Sequence, residues 1–156
     1  MGSGFHGSVV APPSSRDGFS NAMNTPFEQV VASYHRARET GQLFDTFYRI
    51  FLGKSPEIPS MFARTDFPHQ KLMLRESILE MLVFAQTGSG RREIERLGER
   101  HRQLNVTASH YELWLDALCG ALRQHDPQFS PDLEQEWRDT MRKGIDVMVG
   151  SPRSGT

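Results

Sequence analysis

The chain has 156 residues, 19 acidic against 18 basic side chains, and one cysteine. That length suffices for a single domain with a sizeable core. The near-balance of charge, with no long like-charge run, excludes a basic nucleic-acid footprint or a polybasic membrane patch, and one cysteine excludes a disulfide framework or a cysteine-based zinc site.

No run of about 18 apolar residues is present to span a membrane, and the start lacks the charged-then-apolar pattern of a secretory signal. A cytoplasmic globular protein is the expectation. Residues 1–22 are rich in Gly, Ser and Pro and have no period. They read as a disordered leader or tag, with Met23 as the natural start and no role for His6.

From there to residue 150 the pattern is helical. Asn24 or Thr25 caps a first helix with Pro26 at its first position and Phe27, Val30, Val31 and Tyr34 as its stripe; it ends at Gly41. "QLFDTFYRIFLGK" follows, apolar on most sides, which places it centrally. "SPEI" opens a short turn of helix, capped by Ser55. The next helix runs from about Pro68 to Gln86 with Leu74, Ile78, Met81, Leu82 and Ala85 on its stripe, and "TGSG" breaks it. In the helix after that, Ile94, Leu97, His101 and Leu104 share one face, and it stops near Asn105. "SHYE", Ser109 to Glu112, reads as the capping box of a further helix, in whose run "LWLDALCGAL" Cys119 reads as a buried, inert thiol. "QHDPQF" is a turn. Ser130 and Pro131 open the last helix, with stripe Leu133, Trp137, Met141, Ile145 and Met148; residues 151–156 read as a disordered tail. Six main helices and a short one, with no strand alternation and no repeat, make the class all-α.

An imidazole on a helix stripe is either a hydrogen-bonded core histidine or a ligand. Three segments bear on the choice. "FYRIFLGKSPEIPSMF" resembles the second helix and following turn of bacterial globins. "ERHRQLNVTASHYELW" resembles their proximal-histidine helix, with a tyrosine ten residues after the histidine. "LEQEWRDTMRKGIDVMV" resembles their last helix with its early tryptophan. Each alone is a weak signature. In this order and spacing, over about residues 24–149, they resemble small single-domain bacterial globins, related to flavohaemoglobin haem domains and to globin sensor domains.

The resemblance implies a globin fold, a three-on-three helical sandwich over residues 23–150, around haem b (iron protoporphyrin IX). His101 matches the axial metal ligand, with Leu97, Leu104 and Val106 walling its side and Tyr111 in the family's position beside the histidine. Counting from Trp137, the family's glutamate partner falls near Pro152, past the helical pattern, so the charged partner is absent. On the distal side Tyr48 matches the tyrosine that donates to bound O2, and Phe62 the phenylalanine that packs on the haem. The distal register is open. Spacing from Phe62 and Gln86 favours Leu72 or Met73 facing the ligand, with Ser77 next; the stripe instead brings Gln70 inward with Leu74 one turn on. Lys71 is a candidate for a haem propionate or a solvated lysine. His69, off the stripe, is a weaker candidate for an internal sixth ligand. His35, His110 and His125 read as surface or turn residues.

The function implied is reversible binding of O2, CO or NO, as in oxygen transport or storage. A nitric oxide dioxygenase or peroxidase, a haem-based sensor and a haem-free scaffold are the alternatives. The enzyme would need a separate reductase, because the 156 residues hold no dinucleotide fingerprint. No nucleic acid or membrane partner is expected, and the assembly is a monomer or a homodimer.

Overall fold

The computed structural model describes residues 24–150; the expected leader, the expected tail and the Pro152 position lie outside them. The described residues form seven helices: α1 (Pro26–Arg38), α2 (Leu43–Leu52), α3 (Glu57–Met61), α4 (Phe67–Thr87), α5 (Arg91–Gln103), α6 (Ala108–His125) and α7 (Pro131–Val149). None is long and apolar enough to cross a membrane.

The helix starts follow from side chains that take up otherwise unpaired backbone N–H groups. Thr25 closes a capping box with Glu28 at 3.1 and 3.0 Å. Ser130 accepts from the Leu133 N–H at 3.1 Å. Ser55 accepts from the Glu57 N–H, yet the capping position of α3 falls on Pro56, one later than expected. The α6 box is also not where its letters suggest. It is Thr107 with His110, not Ser109 with Glu112, because a histidine Nδ1 fills the role usually given to a Glu or Gln. Asn105, between α5 and α6, is the one non-glycine at positive φ (+66°) among the described residues, as suits the residue that ends a helix.

The layers are α1, α4 and α5 against α2, α6 and α7. Helix α6 packs along α2, and α7 carries α1, α4 and α5. The α7 stripe is buried as expected: Leu133, Trp137, Met141, Ile145 and Met148. In α1 the buried face is Val30, Ser33, Tyr34 and Ala37, with Phe27 and Val31 only half-buried. Where α5 crosses α7 the backbones nearly touch. A Cβ on Gly98 would lie 2.5 Å from the Met148 carbonyl oxygen, so only glycine permits the crossing. Gly98 sits one turn before His101 and thereby sets how deep that histidine rides.

A buried polar network joins three elements at one place. Trp137 Nε1 donates to Ser33 Oγ at 2.9 Å, and Ser33 donates to Asp126 at 2.6 Å. Arg36 donates to both Asp126 oxygens, at 2.6 and 3.0 Å, and the Gln128 N–H adds a further bond at 2.9 Å. Burial alone would raise the Asp126 carboxyl; the bonds from Arg36, Ser33 and Gln128 outweigh it and hold it low. Beside it His125, expected at the surface, is half-buried between Thr40 and Thr46, at 3.0 and 2.7 Å. Cys119 is fully buried, and burial pushes its thiol up to about 12, so it is inert as expected.

Candidate functional site

Between α4 and α5, closed behind by α2 and α6, lies a cavity of about 500 Å³. Tyr48, Phe62, Gln70, Met73, Leu74 and Ser77 line it from the α2 and α4 side; Leu97, His101, Leu104, Val106 and Tyr111 line it from the α5 and α6 side. Of the residues singled out from the sequence, Lys71, His69 and Leu72 are not there. That lysine pairs with Asp45 of α2 and does not line the cavity, because its place on α4 turns it toward α2. His69 is exposed and also outside it.

His101 is half-buried, and its Nδ1 lies 2.6 Å from the carbonyl of Leu97, one turn back in α5. A carbonyl only accepts, so Nδ1 carries the proton and the neutral ring keeps its lone pair on Nε2. The helix therefore fixes both the tautomer and the ring direction. The Tyr111 ring lies 5.9 Å from the His101 ring. Its hydroxyl is buried with no hydrogen-bond partner among the described residues, and burial, opposed by the Arg102 charge, pushes it up to about 12.

On the other side Gln70 Nε2 donates to the Tyr48 hydroxyl oxygen at 3.0 Å. With that oxygen accepting, the phenolic proton is left to donate elsewhere. Burial, opposed by the Gln70 bond, pushes Tyr48 up to about 12, so it stays protonated far above neutrality. Edge-on packing against Phe47, Phe62 and Phe67, with ring centres 4.9, 5.8 and 5.5 Å away, holds its ring. The favoured register holds for Met73 and fails for Leu72. Leu72 is 51% exposed and outside the cavity, while Gln70 and Met73, three residues apart on α4, both line it. The two registers are one face.

Eight lining residues were not singled out as site residues, among them Arg100, Trp114 and His110. Trp114 was legible as the first large aromatic on the α6 stripe after Tyr111. His110, expected at the surface, is buried, because its ring nitrogens meet the Thr107 N–H at 2.9 Å and Glu57 at 2.7 Å.

The lining fits haem. The volume lies in the range of cofactor pockets, roughly 300–1,000 Å³, and the walls are mainly apolar with a few placed polar groups. One imidazole lone pair is presented from one side. Met61, Met73 and Leu104 line the mouth and yet are 37%, 36% and 67% exposed, apolar surface that a large flat ligand would cover. Among the described residues no group of three or more His, Cys, Asp or Glu is placed to hold a bare ion.

The sequence profile of the globin family, described simply as Globin, matches residues 45–148. Among curated proteins none matches this chain. Among solved structures the chain is similar to a Pseudomonas aeruginosa protein described as structurally highly homologous to a human haemoglobin. The two are 37% identical, with a TM-score of 0.77, and the match covers 80% of this chain and 96% of that one. An all-helical sandwich, a histidine and a tyrosine facing one apolar cavity, and a profile that takes in both agree: the chain belongs to the globin family, whose members bind diatomic gases through haem.

Proposed function

We propose that this chain holds haem b through His101 and reversibly binds O2, or CO or NO, in the part of the cavity that Tyr48 and Gln70 face. The observation that carries the reading is the pairing of two free groups across one apolar space: the His101 Nε2 lone pair and the Tyr48 proton. When bound, the haem supplies the iron at which the gas sits.

The chain's own residues do the rest. The Leu97 carbonyl aims the imidazole. Gln70 occupies the Tyr48 oxygen, so the phenolic proton faces the cavity and donates to the polarised end of the gas; one such bond contributes about 0.5–1.5 kcal/mol. Met73 and Leu74 keep the space apolar. The partner of His101 Nδ1 is a neutral carbonyl rather than a carboxylate. A neutral acceptor raises the ligand's basicity less, which favours reversible gas binding over peroxidase or dioxygenase chemistry.

The test is the visible spectrum of the purified protein, first ferric, then reduced, then under O2 and CO. A five-coordinate ferrous form that gives a lasting oxygenated form is expected, and His101→Ala loses tight haem retention. No haem band after adding haem, or a His101→Ala protein that purifies fully loaded and five-coordinate, would overturn the reading.

A further inference from the structure

His110 and Glu57 form a contact that gas binding leaves unused. The Thr107 N–H donates to His110 Nδ1 at 2.9 Å, so Nδ1 holds the lone pair. The proton is then on Nε2, which donates to Glu57 Oε1 at 2.7 Å. The ring lines the cavity with its side chain 8% exposed, whereas the glutamate is 70% exposed. At this point the wall is one imidazole thick, and its outer partner stands in water.

The two residues belong to different walls. Glu57 opens α3, a helix of five residues that packs mainly on α2 and ends at Phe62, which packs on Tyr48. His110 is in the first turn of α6, directly before Tyr111, whose ring lies beside His101. One bond thus ties the Tyr48 side to the His101 side where helix packing is sparse. The tie is a single hydrogen bond from a neutral imidazole to a carboxylate that stands in water. Water can take the carboxylate's place at the imidazole, so the two walls can part there without stranding the N–H.

We propose that Glu57 and His110 form a clasp that governs how readily the cavity opens at α3 to admit and release the haem, a role that rests on the haem reading above. His110 is a positioning residue here; it acts by holding the two walls together.

The experiment is haem transfer from the ferric protein to an excess of apomyoglobin, in the unmodified chain and in Glu57→Ala and Glu57→Gln. Glu57 is exposed, so its variants fold. Glu57→Ala is expected to release haem several-fold faster. Glu57→Gln retains an acceptor and stays near the unmodified rate. The apoproteins' unfolding midpoints and the reduced spectra stay unchanged. Equal release rates for Glu57→Ala and the unmodified chain would overturn the clasp and leave the haem reading intact. So would faster release matched by a lower apoprotein midpoint, which marks general loosening. An unmodified chain that takes up no haem would overturn both.

Discussion

Two polar regions of this molecule are built on opposite rules. Around Asp126 every group is engaged: the carboxylate takes bonds from Arg36, Ser33 and the Gln128 N–H, and Ser33 takes one from Trp137. Around the cavity, groups are left open. The Tyr111 hydroxyl has no partner among the described residues, the Tyr48 proton is unspent, and His101 uses only Nδ1. A closed network fixes helices. An open one holds chemistry in reserve for something absent from the chain. A buried group without a partner costs about 1–3 kcal/mol; the Tyr34 hydroxyl and a Glu136 oxygen carry that cost outside the cavity, and the cavity differs in that its open groups face one shared space.

Breaking the closed region has the largest effect. Asp126→Ala leaves Arg36 and Ser33 facing a void, and a loss of about 3–5 kcal/mol of apoprotein stability is expected in urea unfolding. A loss typical of a surface pair would show that the network holds nothing. The same carboxyl gives an acid limb. Its folded value is held below the ordinary one, so its contribution is present above that ordinary value and is lost as pH falls through the folded one.

Gly98→Ala probes the link between the regions. The added methyl meets the Met148 backbone, which cannot rotate away, and about 1–3 kcal/mol is expected to be lost. Because Gly98 also sets the depth of His101, the ferrous spectrum should change too; altered stability with an unaltered spectrum would uncouple the two.

Tyr48→Phe removes the open proton together with the oxygen that accepts from Gln70. Faster O2 release by roughly two- to tenfold is expected from stopped-flow displacement by CO, the size of one neutral hydrogen bond. An unchanged rate would show that Tyr48 does not reach the gas.

The mildest probe is alkaline titration, which leaves neutral pH untouched. Unfolded tyrosine gives up its proton near 10, whereas Tyr48 and Tyr111 are held to about 12. Between these values the unfolded chain binds fewer protons, so stability present below pH 10 falls as pH rises toward 12. Replacing either tyrosine by phenylalanine should flatten that fall in pH-dependent unfolding.

How far the sequence reaches follows the same division. The stripe of α7, the caps Thr25 and Ser130, and the place of His101 were legible because each is a pattern within a few residues. The Gln70 question was posed as a choice between registers, but residues three apart on a helix line the same cavity, so spacing alone could not decide it. His110 and Asp126 read as ordinary turn residues. Their partners lie 53 and 90–93 residues away, and nothing local in the sequence announces a bond of that span. Lys71 was considered for a propionate on its sign alone, while Asp45, 26 positions earlier, already holds it.

The rim of Met61, Met73 and Leu104 has a consequence for the life of the chain before it is loaded. Newly made protein presents that rim bare, as an adhesive patch open to chaperones, proteases and other unloaded copies. Haem covers the patch and, in so far as it binds the folded form, adds stability that grows with the logarithm of its supply. How much of this protein a cell accumulates should then rise and fall with its haem synthesis, even when transcription is constant.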